Sequence, residues 1–173
     1  MPPSLASELV RRAEVISKGH TPQPYLSEIA MSPQKMMFCC LDRRVVPEKF
    51  LGLKSSDGVV LVRTASGTPA RNILDIVAMD KLVGLSEVIV VKHTDCGALH
   101  TTDAEIRKHM IEHNPDLAGK VDDVAFQATT DIVERTRLDV EIIRTSPLIR
   151  KELREAASGL LYDIKTGKVS RIV

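Results

Sequence analysis

Tryptophan is missing from the chain, and all aromatic residues together make up only 3% of it. A surface that stacks the bases of single-stranded nucleic acid would want more. Neither sign of charge is in excess: 24 Lys and Arg face 23 Asp and Glu, a formal net charge of +1. That balance gives no global field to draw in nucleic acid or an acidic membrane, so neither is expected as a partner. No apolar run approaches the roughly 20 residues that a membrane-spanning helix needs. No heptad, collagen-like or other internal repeat is present. Cysteine is scarce, at Cys39, Cys40 and Cys96. An odd count, with no secretory pattern at the N-terminus, argues against a disulfide framework and for a reducing, cytoplasmic setting.

What is present suffices for one folded unit. The 173 residues are 43% hydrophobic, which fits a single domain with one core and argues against disorder. Residues 4–18 carry Leu5, Leu9, Val10, Ala13 and Ile16 near the helical period. His20 to Pro33 reads as an irregular connection with three prolines. Lys35 to Leu41, Val59 to Val62 and Glu87 to Val91 are short apolar or β-branched runs, each a predicted strand. Continuous apolar strands are buried on both faces, as in a parallel sheet covered by helices. Helices are predicted over 71–83, 103–113 and 121–138, with a short one over 146–156. Gly159 to Val173 reads strand–turn–strand, with Lys165 to Lys168 as the turn. The alternation gives an α/β domain with a mainly parallel central β-sheet flanked by helices.

Two of these strands end in metal-ligand residue types. The first runs out through Cys39-Cys40-Leu41-Asp42-Arg43-Arg44, the third through His93-Thr94-Asp95-Cys96-Gly97. Sites in parallel α/β sheets form just beyond the carboxyl ends of the strands, so neighbouring strands would bring both clusters to one crevice. Cys40, His93 and Cys96 then supply two thiolates and an imidazole, a set that suits Zn(II) and leaves its fourth position open. A lone cysteine at a strand end is more often a small buried hydrophobe. Two such clusters at equivalent strand ends are much harder to obtain by chance. Adjacent residues on a strand point to opposite faces, so Cys39 is expected in the core rather than at a metal. The same geometry argues against a redox pair of Cys39 with Cys40.

The string Cys40-x-Asp42-x-Arg44, followed some fifty residues later by His93-x-x-Cys96-Gly97, resembles the β-class carbonic anhydrases. The likeness runs from about Lys35 to Leu99, and the C-terminal strand–turn–strand is similar to that of short, single-domain members. The resemblance implies a β-carbonic anhydrase-like fold over residues 1–173, with 1–33 as an N-terminal helical arm that wraps a partner in a homodimer or homotetramer. It implies zinc on Cys40, His93 and Cys96, and reversible hydration of CO2 to bicarbonate and a proton by zinc-bound hydroxide. Asp42 and Arg44 match the family's catalytic dyad, in which the Arg keeps the Asp ionised and turned from the metal, so that the Asp orients the hydroxide. The same chemistry would serve a carbonyl sulfide or carbon disulfide hydrolase.

Two positions depart from the family pattern. Arg43 stands where a small residue is usual, either facing solvent or a subunit contact, or competing with Arg44 for Asp42. Thr64 replaces an Asn in Arg63-Thr64-Ala65-Ser66-Gly67, near the substrate pocket of relatives. Both motivate a second reading, a weakly active zinc-binding homologue that acts as a structural or regulatory partner. His100, four residues past Cys96, reads as an exposed loop residue rather than a proton carrier. His109 and His113, at helical i, i+4 spacing, read as a solvated face rather than a second metal site.

Overall fold

The computed structural model describes residues 4–28 and 33–173, which divide into two units at residue 31. In the first, helix α1 spans Leu5–Ile16 and is capped by Ser4, whose hydroxyl accepts from the Ser7 amide at 3.3 Å. None of the α1 residues is buried, and Leu5, Leu9, Val10, Val15 and Ile16 all stand exposed. Single 3-10 turns follow at Ser17–Gly19 and Leu26–Glu28. The rest of the expected arm before the second unit, residues 1–3 and 29–31, lies outside the described residues.

The second unit is built on five strands: β1 Gln34–Cys40, β2 Val59–Thr64, β3 Leu85–His93, β4 Ala157–Tyr162 and β5 Val169–Arg171. They lie in the order β2-β1-β3-β4-β5. The first four are mutually parallel, and β5 returns antiparallel to β4. Met37 pairs with Leu61 on one side and Ile89 on the other. Alternation along the strands sorts the core. Met36, Phe38, Val88 and Val90 face Val140, Ile143 and Leu153 on one side of the sheet. Met37, Cys39 and Val91 face the segment of Phe50, Leu51 and Leu53 on the other. The expected α/β architecture with a mainly parallel sheet is therefore present.

Six helices complete the described residues: α1, α2 Pro47–Phe50, α3 Ile73–Val83, α4 Asp103–His113, α5 Ile132–Thr145 and α6 Lys151–Glu155. α3 stops at Gly84, whose φ of 68° needs no Cβ. A capping box starts α4: Glu105 N–H donates to the Thr102 hydroxyl at 3.1 Å, and Thr102 N–H donates to Glu105 Oε2 at 2.8 Å.

The helix expected over 121–138 is corrected, because it begins only at Ile132. Asp131 caps α5 by accepting from the Val133 and Glu134 amides at 2.8 and 3.0 Å. Upstream, Val121, Val124, Ala125 and Ala128 are spaced as on a helix, but the backbone there is claimed elsewhere. Phe126 and Ala128 donate their N–H groups to the Asp103 carboxylate at 3.0 Å each, and Gln127 takes φ 68°. The short helix expected over 146–156 is likewise cut to α6, since Ser146 to Arg150 around Pro147 form a turn. No helix among the described residues is long and apolar enough to cross a membrane.

Candidate metal centre and its cavity

β1 and β3 are parallel neighbours, so their carboxyl ends open on the same edge of the sheet. Cys40 is the last residue of β1 and His93 the last of β3. The chain turns through Thr94 and Asp95, with Asp95 at φ 55°, and returns Cys96 to the same place. The Sγ atoms of Cys40 and Cys96 lie 3.8 Å apart. One donor atom from each of Cys40, His93 and Cys96 lies within 4.8 Å of the others, and all three residues are buried.

His93 supplies the observation that tests this cluster. Its Nδ1 lies 2.9 Å from the Thr94 carbonyl, which accepts only, so the proton sits on Nδ1. Nε2 is left as a lone-pair donor, buried and without a hydrogen-bond partner. Such an orphan is costly unless something electrophilic meets it. Two sulfurs and an imidazole nitrogen converging with that lone pair form a set able to hold a metal ion. The contact between the two sulfurs lowers Cys40, with help from His93 and against burial, and raises Cys96. Cys39 is packed with Met37 and Val91, and burial raises its thiol to about 11, which leaves it inert.

Asp42 and Arg44 stand at the rim of the same edge. Arg44 spans the carboxylate, with Nη2 at 2.6 Å from Oδ2, Nε at 3.0 Å from both oxygens, and its own amide at 2.9 Å from Oδ1. This pairing holds Asp42 down at about 2 and raises Arg44. The other departure from the family pattern, Arg43, is exposed, and both Asp42 oxygens are taken by Arg44. Of the two readings left open for Arg43, the exposed side chain agrees with the one that leaves the Asp42–Arg44 pair undisturbed. Thr64 uses its hydroxyl within its own loop, donating to the Thr68 carbonyl at 3.0 Å.

Two rim residues were not picked out from the sequence. Arg44 Nη1 also reaches Asp95 Oδ2 at 2.8 Å, and Nη2 reaches the Asp95 carbonyl at 2.9 Å. Asp95 passes the contact to His100 Nε2 at 2.8 Å. Arg63 donates to the carbonyls of Asp42 and Val45 at 2.8 and 2.6 Å, which fixes the turn after β1. The place of Asp95 between His93 and Cys96 was a usable signal. The reach of Arg63 from β2 was not, since it depends on strand order. His109 and His113 stay exposed on α4, their rings 4.2 Å apart.

A cavity of about 450 Å³ opens over Cys40, Asp42 and Cys96. Its walls are apolar, from Leu41, Ala98, Ile106, Phe126 and Ala128. Phe126 is held by the Asp103 contact to its amide and by the Arg71 guanidinium 5.5 Å from its ring.

An α/β sheet with a Cys–His–Cys cluster and a carboxylate–guanidinium pair at its parallel strand ends defines a narrow class of proteins. The sequence model for carbonic anhydrase matches residues 35–169, and the chain belongs to that family, in its β class. It is similar to β-carbonic anhydrase 1 of Mycobacterium tuberculosis, 27% identical over 156 residues, which cover 90% of this chain and 88% of the relative. It is also similar to the carbon disulfide hydrolase of Acidianus sp., 28% identical over 76% of this chain and 74% of the relative. The crystal structure of carbonic anhydrase from Streptococcus mutans superposes with a TM-score of 0.79 at 29% identity, covering all of both chains.

Proposed function

We propose that the protein catalyses the reversible hydration of CO2 to bicarbonate and a proton, with zinc held by Cys40, His93 and Cys96. The observation that carries the reading is the buried, partnerless Nε2 of His93 converging with two cysteine sulfurs. Zinc on such a set is a Lewis acid that lets water give up a proton near neutral pH. The remaining work falls to the chain. Arg44 keeps Asp42 ionised and fixes its direction, so the carboxylate accepts a hydrogen bond from the attacking O–H and aims its lone pair at carbon. Leu41, Ala98, Ile106 and Phe126 give the apolar surroundings that a small linear substrate needs and thin the water around it.

Stopped-flow CO2 hydration at pH 7–9, on protein of measured zinc content, tests the reading. Activity is expected, and Cys40→Ser is expected to lose both zinc and activity to background. Background rates at full zinc occupancy would overturn it. The likeness to a carbon disulfide hydrolase and the apolar walls favour one competing substrate class, carbonyl sulfide or carbon disulfide, and the same preparation assayed for sulfide release decides between them. We place the enzyme in the cytoplasm as a homodimer or homotetramer. Three free cysteines and the exposed apolar residues of α1 support this, and sedimentation measures the oligomer.

A further inference from the structure

We infer that Lys92 is a positioning residue: by its bonds to Ser66 and Asp139 it presses one wall of the cavity against the backbone of Cys40 and so fixes that sulfur. The inference rests on the reading of Cys40 as a metal ligand.

Lys92 is fully buried beside His93, yet it supplies no donor to the cluster. A buried ammonium is costly, and it is kept only where several partners satisfy it. Its Nζ donates to the Ser66 carbonyl at 2.5 Å, lies 3.4 Å from the Ser66 hydroxyl, and is ion-paired with Asp139 of α5, also fully buried. Asp139 accepts in turn from the Thr68 hydroxyl at 3.1 Å and from the Arg135 guanidinium. β3 and α5 thus grip residues 66 and 68 from one side.

On the other side the same loop leans on the metal cluster. Gly67 has φ 65°, and a Cβ there would lie 3.0 Å from both Cys39 C and Cys40 N. The loop is therefore in contact with the peptide that joins the two cysteines. Between the grip and the contact sits Ser66 at φ 60°, ψ 1°, a left-handed conformation that a serine holds only when its surroundings impose it. Ser66 also lines the cavity with Cys40 and Cys96. Without the Lys92 donor the Ser66 carbonyl is released, the loop relaxes, and Gly67 no longer braces Cys40.

Lys92→Met tests this without stranding a charge, because Arg135 still pairs with Asp139. Wild type and variant are loaded with cobalt(II) and their visible thiolate and ligand-field bands recorded. Zinc affinity by chelator competition, CO2 hydration and the melting temperature follow on the same samples. The variant is expected to bind one cobalt with displaced bands, and to lose about ten-fold in zinc affinity and in kcat/KM, as for other residues that hold metal ligands in place. Unchanged bands and zinc affinity would overturn the inference, whatever the melting temperature. A wild type that takes up no cobalt would overturn the metal reading itself, and the inference with it. Should Lys92→Met not fold, Lys92→Gln stays polar and leaves Arg135 paired with Asp139, but is too short to hold both the Ser66 carbonyl and Asp139. It is expected to displace the bands in a folded protein, and unchanged bands there also count against Lys92.

Discussion

The molecule contains two carboxylate–cation pairs close to one site, and they differ in almost everything but charge. Asp42–Arg44 lies at the rim, with the arginine side chain 45% exposed. Lys92–Asp139 lies beneath the cavity wall, with both side chains at 0%. A pair open to water is screened and adds little to stability. What Asp42–Arg44 provides is direction, since a planar fork fixes the angle of a carboxylate at the mouth of the cavity. The buried pair is the reverse. Desolvation of both charges opposes it, so it persists only with Ser66, Thr68 and Arg135 as further partners. On the proposed function one pair would serve the chemistry at small cost to the fold, while the other would hold the frame at large cost if broken.

The most severe way to break the contrast is Asp139→Ala. It leaves the fully buried Lys92 uncompensated beside the partly buried Arg135 and is expected to cost about 3–5 kcal/mol. Urea unfolding should show a lower midpoint at an unchanged slope. A loss no larger than that of a surface mutant would mean that water already reaches the pair.

Next comes the rim. Arg44→Ala is expected to leave the melting temperature nearly unchanged while kcat/KM for CO2 falls roughly ten- to a hundred-fold, the scale of a misdirected catalytic group. Stopped-flow rates and a thermal melt on one preparation separate the two effects. A drop in both would place Arg44 with the frame rather than with the chemistry.

The contrast between the pairs also marks what the sequence made legible. The strand runs and the Cys40, His93 and Cys96 convergence follow from local pattern and from parallel strand ends, and both are present in the fold. The pairing of Asp42 with Arg44 was readable only through the family resemblance, because a spacing of two residues does not by itself name a partner. Lys92 and Asp139 are 47 residues apart, and each sits at an otherwise apolar or helical position. Nothing in either neighbourhood names the partner. The false start of α5 at 121 has the same origin. Its helical spacing is real, but Asp103, far back in the chain, takes the amides of Phe126 and Ala128.

A third pair of middling burial sharpens the comparison. Arg150 holds the Asp80 carboxylate at 2.9 and 3.2 Å, and the Leu85 amide adds a bond at 2.8 Å. Burial pushes this carboxyl up, but Arg150 and Leu85 outweigh it and leave it lowered. A lowered carboxyl stabilises the fold above the unfolded value of about 3.9 and loses that contribution as pH falls through its folded value. Asp80→Asn should therefore unfold less steeply with acid below about pH 4 than wild type does, with at most about 1 kcal/mol at stake, since Arg150 is itself half open to water and shared with Glu152. Parallel acid titrations of stability that overlay would show the pair to be idle.

The smallest effect is expected where the sequence raised the most suspicion. Arg43 is exposed beside a carboxylate whose two oxygens are already occupied by Arg44. Displacing that fork would require Arg43 to replace three side-chain contacts and one amide. Arg43→Ala should accordingly change kcat/KM by less than about two-fold, the scale of a surface substitution away from any partner. A clear rise in activity would instead mean that Arg43 draws Asp42 off Arg44 in solution. The rim pair would then be a contested one, and its separation from the fixed pair below it would be sharper still.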